Sequence, residues 1–160
     1  MSIRAESQVA KERERHVGEV HTRLTITNRA DEIRATSGLI REVEVRTITL
    51  DDVLVDTGAT TLCLPQDLVE ALGLQLLEEV SVATATGITT ARVYEDAKLS
   101  LYGRTGTFDC IALPEGTQPL LGVIPLERLG LEPDLQNQRL RVLPDHGRQT
   151  YILAPSPIIY

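Results

Sequence analysis

Asp56 stands at the end of a wholly apolar run, Val53-Leu54-Val55, and is followed at once by Thr57, Gly58 and Ala59. An ionised carboxylate at the end of a buried strand costs free energy unless it is hydrogen-bonded or shares its charge. Thr57 offers a hydroxyl, and Gly58 lets the main chain come close enough for its N–H to face the Asp56 carboxylate. Chains keep such arrangements mostly where the carboxylate does chemistry, as a general acid or base. An Asx-type turn between two strands would account for Asp56 and Gly58. It would not account for the apolar residues on both sides, for the small Ala59, or for a second element, Pro119-Leu120-Leu121-Gly122. That element precedes one helix signal as Asp56-Thr57-Gly58 precedes another.

Other chemistries find less support. Cys63 as a nucleophile would need a histidine partner, and none is near it in sequence, so it reads as a small buried residue. His16, His21 and His146 are not accompanied by a cysteine or carboxylate cluster with ligand spacing, and no metal or cofactor is expected. There is no Gly-x-Ser-x-Gly and no phosphate-cradling glycine loop.

The chain has 160 residues, enough for one domain with a core of its own. Sixteen Lys and Arg face 23 Asp and Glu, a net charge of −7, which argues against a nucleic-acid backbone as partner. Aromatic residues are only Tyr94, Tyr102, Phe108, Tyr151 and Tyr160, too few for a base-stacking surface. No apolar run approaches the ~18 residues of a membrane span, and the N-terminus lacks the apolar stretch of a signal peptide. A cytoplasmic location, no membrane partner and free thiols at Cys63 and Cys110 are the expectations.

The elements that must position Asp56 are short. Residues 1–16 form a charged tail, 17–143 the domain, and 144–160 a C-terminal extension. Val20, Thr22, Leu24 and Ile26 alternate with polar residues, as in a half-buried strand. Asn28 to Gly38 reads as a polar loop, residues 40–49 as a second strand, Asp51-Asp52 as a turn, and Val53-Leu54-Val55 as a third strand. Helices are expected at Leu64–Gly73 and Ile124–Gly130, each with Pro near its start and Gly at its end. Each gives way to leucine, as Leu72-Gly73-Leu74 and Leu129-Gly130-Leu131, a weak internal duplication of about 60 residues. Further strands are expected at 80–85, 89–93, 99–102, 107–113 and 139–143, and at Tyr151-Ile152-Leu153. Tyr94 is expected at the outer surface. Many short strands with frequent turns indicate an all-β barrel or sandwich.

From about Val43 to Leu135 the sequence resembles the retroviral-like (retropepsin-type) aspartic proteases, and in particular their small cellular and bacterial relatives. The resemblance is carried by Leu54-Val55-Asp56-Thr57-Gly58-Ala59, a glycine-tipped hairpin near Gly87, the Leu101-Tyr102-Gly103 turn, and Leu120-Leu121-Gly122 before a short helix. It implies a closed, mostly antiparallel β-barrel-like lobe with one or two short helices. It implies that Asp56 is the catalytic aspartate, that Thr57 bonds across a two-fold axis, and that Gly58 and Ala59 shape the active-site loop. Ala83, Thr84, Ala85, Thr86 and Gly87 would be the tip of a flap. Leu54, Thr60, Thr61, Cys63, Leu120, Leu121 and Gly122 would line the cleft, the last three from beneath the loop.

The mechanism implied needs two carboxylates, and the chain carries one such motif, so the resemblance implies a homodimer hydrolysing an extended peptide with no cofactor. The alternative is a retropepsin-fold dimerisation or peptide-binding module without turnover. Viral members have an acidic residue after the Ala of the motif and an Arg after the last Gly, and these pair. Here the positions hold Thr60 and Val123.

Overall fold

The structure is a computed structural model that describes residues 18–144 and Pro155. The expected tail at 1–16 and the strand at 151–153 lie outside the described residues. Strands are β1 (Val20–Asn28), β2 (Thr47–Val55), β3 (Leu62–Pro65), β4 (Gln75–Thr84), β5 (Gly87–Leu101), β6 (Arg104–Leu113), β7 (Leu120–Leu121), β8 (Leu131–Asp134) and β9 (Arg139–Val142). Helices are α1 (Arg29–Thr36), α2 (Gln66–Leu72) and α3 (Val123–Leu129), with one 3₁₀ turn at Glu42–Glu44.

Seven strands form one sheet in the order β1-β2-β7-β3-β6-β5-β4, and β1 also pairs with β5, so the sheet curls onto itself with β4 outside the ring. The fold is all-β as expected, but not purely antiparallel: β2–β7 and β3–β6 are parallel. The two parallel pairings are reciprocal. The strand after the Asp56 loop, β3, lies on β6, while β7, which follows β6, lies on β2. β7 is thereby wedged between β2 and β3, with Cys63 opposite Leu120.

Alternation in β1 puts Val20, Leu24 and Ile26 inside. They meet Val53, Leu62, Leu64, Leu99 and Leu121 in one core. The two helices of the duplicated pattern close this core. Gly73 and Gly130 both take the left-handed conformation that ends a helix, at φ 62° and 64°. The leucines flanking them, Leu72, Leu74, Leu129 and Leu131, are all buried.

Several expectations need correcting. The segment expected as a polar loop holds α1, whose sequence RADEIRAT has no apolar face. The Asn28 side chain caps it by accepting from the Asp31 N–H at 3.0 Å. Ion pairs Arg46–Asp31 and Lys98–Glu32 tie it to the domain, and Arg34–Asp31 pairs within the helix. The strand expected over 40–49 begins only at Thr47, after the 3₁₀ turn. Asp51-Asp52 is not a turn: it is a bulge inside a continuous β2, where both residues face Arg23 between the pairs Thr22–Val53 and Leu24–Leu50. Asp51 pairs with Arg23, and Asp52 lies 2.5 Å from His21 Nδ1, so each acid finds a hydrogen-bonding partner without breaking the strand. The strands expected at 89–93 and 99–102 are one 15-residue strand, β5. Tyr94 belongs to the core rather than the outer surface, its hydroxyl 3.2 Å from Gln66 Nε2.

Candidate functional site

Asp56 is the first residue past β2. Its N–H donates to Leu121 O at 3.0 Å, and two residues earlier Leu54 N–H donates to Pro119 O at 3.0 Å. The parallel β2–β7 pairing therefore fixes where the aspartate leaves the sheet. The chain then turns, with Ala59 N–H donating to Asp56 O at 3.1 Å. Within that turn Gly58 N–H donates to the Asp56 carboxylate, to Oδ1, at 2.8 Å. A carboxylate with a main-chain donor aimed at it is held in one orientation at little entropic cost. Asp56 is half-buried, and Thr57 and Gly58 are exposed. The acid sits at the surface on a hydrogen-bonded loop rather than paired in the core.

The loop rests on the second half of the duplicated pattern. Gly122 sits directly beneath it: a Cβ there would lie 2.4 Å from Thr61 O, 2.5 Å from Ala59 O and 2.7 Å from Thr61 N. Only glycine allows this approach. Beyond it, Val123 N–H donates to Ala59 O and Ile124 N–H to Thr60 O, both at 2.9 Å. These main-chain bonds join the loop to the start of α3. Thr61 is buried, and its hydroxyl donates to Asp109 O at 2.8 Å, tying the end of the loop to β6.

Of the other expected cleft residues, Leu121 and Cys63 are buried and Leu54 and Leu120 half-buried. Burial, with a smaller contribution from the Asp56 charge, pushes the Cys63 thiol up to about 11. A buried thiol raised this far is not activated as a nucleophile. Burial raises the Cys110 thiol too, and both cysteines are unbonded.

The segment Ala83–Gly87 is the tip of the β4–β5 hairpin, exposed throughout. Thr84 Oγ1 donates to Gly87 O at 2.9 Å, and Gly87 has φ 132°. Sequence reasoning missed Glu78, Glu95, Asp96 and Asp109, which line a groove bounded by Thr60 and Thr61. The adjacent acids Glu95-Asp96 inside an otherwise regular strand were the available signal.

Residues 52–128 match the family described as "gag-polyprotein putative aspartyl protease". No protein of curated function matches the chain. Among solved structures, the chain is similar to the protease of simian foamy virus (mac), at 19% identity over 66% of this chain and 90% of that one, TM-score 0.42. It is also similar to the retroviral protease-like domain of Ddi1 from Leishmania major, at 17% identity over 83% of this chain and 100% of that one, TM-score 0.45. The matched stretch contains the Asp56 loop, the Ala83–Gly87 hairpin and the Leu120-Leu121-Gly122 wedge, and across it the chain is similar to the retropepsin-like aspartic proteases.

Proposed function

We propose that the protein is an aspartic endopeptidase whose active form is a homodimer, each subunit contributing one Asp56. The observation that carries this reading is the half-buried Asp56 carboxylate, oriented by Gly58 N–H on a loop that Gly122 buttresses. A single acid so presented is half of a general acid–base pair. Two carboxylates brought within about 3 Å cannot both ionise and share one proton. The unprotonated member takes a proton from a water held between them, and that water attacks the peptide carbonyl. The protonated member donates to the carbonyl oxygen. The tetrahedral intermediate then collapses with proton transfer to the leaving nitrogen, and no covalent enzyme intermediate forms. Thr57 is exposed next to the acid, where its hydroxyl can bond to its symmetry mate. The hairpin tip Ala83–Gly87 serves as the flap over a substrate bound as an extended strand.

The test is Asp56→Asn. It keeps the fold, and its peptide cleavage falls roughly 1,000-fold below that of the wild type, on the order expected for loss of a general base with its partner. Cleavage also rises with protein concentration as the dimer assembles. Unaltered cleavage by Asp56→Asn refutes the reading.

A second reading, a peptide-binding dimer without turnover, is favoured by the uncharged Thr60 and Val123. It predicts a dimer that binds extended peptides and cleaves none across the pH range.

A further inference from the structure

Beside the Asp56 loop lies a solvent-open groove with a volume of about 570 Å³, with Glu78 and Asp109 at its exposed rim. This volume lies within the roughly 300–1,000 Å³ usual for ligand pockets. Thr60 and Thr61 form the wall it shares with the loop, and Val80, Val93, Phe108, Ile111 and Ile124 supply apolar surface. Four carboxylates, Glu78, Glu95, Asp96 and Asp109, complete the lining, and no Lys, Arg or His does. None of the four takes part in an ion pair among the described residues.

The backbone departs from regularity to place these acids together. Tyr94 pairs with Cys110 and Ala97 with Phe108, so Glu95 and Asp96 both bulge opposite Asp109. Asp96 takes φ 65° there. Like charges set opposite one another destabilise a sheet, and bulges re-aim side chains beside sites. A second bulge, at Leu77 between the pairs Leu76–Tyr94 and Glu78–Val93, brings Glu78 to the groove. Its neighbour Glu79 does not line the groove and pairs instead with Arg92, at 3.2 Å. The hairpin's own cation thus neutralises the acid away from the groove and leaves the groove anionic. The four carboxylates do not converge on a point: no group of three or more ligating side chains among the described residues could hold a metal ion. Acids dispersed around an apolar-walled space suit an organic cation on an aliphatic stem.

We propose that this groove is a subsite for a Lys or Arg side chain of the peptide substrate. The proposal rests on the endopeptidase reading and names its substrate class. The groove borders Thr60 and Thr61 but not Asp56, Thr57 or Gly58, so the basic residue sits to one side of the scissile bond and not at it. The stem lies along Val93, Phe108 and Ile111, and the charged head meets the carboxylates.

The test uses matched peptides in which Lys is walked through each position flanking the scissile bond, against norleucine and Glu at the same position. At one position Lys is cleaved with kcat/KM at least about tenfold above norleucine, and Glu falls below both. The Lys-to-norleucine ratio shrinks towards one in the Glu95→Gln/Asp109→Asn variant, in Glu78→Gln/Asp96→Asn as a second pair, and at 0.5 M salt. Peptide binding to Asp56→Asn, read by fluorescence anisotropy, follows the same order. Cleavage without a basic preference at any position overturns this proposal and leaves the endopeptidase standing. A salt-sensitive preference for Lys in binding, with no cleavage by the wild type, supports the groove's role and refutes the hydrolase. Absence of both refutes both.

Discussion

Replacing Gly122 by alanine tests the mechanical premise of the site, that the second half of the domain holds the first half's acid in place. The added methyl would sit 2.4 Å from Thr61 O and 2.5 Å from Ala59 O, where 3.4 Å begins ordinary contact. The obstructing atoms are backbone, so no rotamer change relieves them, and the loop and the wedge must separate by about 1 Å. Overpacking of this kind costs about 1–3 kcal/mol. The separation also stretches the bonds from Val123 N–H to Ala59 O and Ile124 N–H to Thr60 O, now 2.9 Å each, and those contribute about 1 kcal/mol apiece. The expected loss is about 3–5 kcal/mol, a large part of the roughly 5–15 kcal/mol available to a domain. Urea unfolding should show a midpoint lower by about 1.5–2.5 M at an unchanged slope near 2 kcal/mol/M. Gly58→Ala is the control. Its methyl would lie 3.1 Å from Asp56 Oδ1, the movable end of a side chain, so stability changes by less than about 1 kcal/mol while cleavage falls with the displaced carboxylate. A Gly122→Ala protein that unfolds within about 0.5 kcal/mol of the wild type refutes the claim that this contact supports the loop.

Three further outcomes follow from the rest of the domain. The Arg46 guanidinium holds the buried Asp31 carboxyl at about 2, below its ordinary 3.8, so folding gains from the ionised form above about pH 4 and loses that gain as pH falls towards 2. Arg46 is half-exposed, so the gain is about 1–2 kcal/mol, and Asp31→Asn should flatten the acid limb of stability against pH by that amount. Buried Arg104 donates through Nη1 to Leu129 O and Gly130 O at 2.7 and 2.8 Å, and through Nη2 to Leu143 O, closing the end of α3. Arg104→Met should cost about 3 kcal/mol in denaturant unfolding. With its thiol raised to about 11, Cys63 should resist a thiol reagent at pH 8 in the folded protein and react at once in denaturant.

What the sequence disclosed and what it hid separate along physical lines. The helices α2 and α3 were readable because Pro and Gly act locally: a ring fixes φ and a missing Cβ admits the left-handed cap, whatever surrounds them. The loop at Asp56 was readable because its parts are consecutive. α1 was not readable from periodicity, because it is held by a cap and by ion pairs to Arg46 and Lys98, residues distant in sequence. The bulges at Asp51-Asp52 and Glu95-Asp96 were hidden for a related reason. Each is a mismatch in count between two strands, and a mismatch exists only once both partners are known.

The same distinction explains why one acid was legible and its surroundings were not. Asp56 lies in the first half of the duplicated pattern, and what supports it, Leu121 O and Gly122, lies in the second. Wedging β7 between β2 and β3 makes the aspartate's position a property of both halves at once. A displacement of α3, which begins immediately after Gly122, must therefore reach the carboxylate through Val123 and Ile124. Arg104 anchors the far end of α3, so Arg104→Met should lower cleavage as well as stability, even under conditions where nearly all the protein is folded. If cleavage per folded molecule stays at the wild-type value while stability drops, the helix and the acid are not mechanically joined, and the Asp56 loop stands on β2 alone.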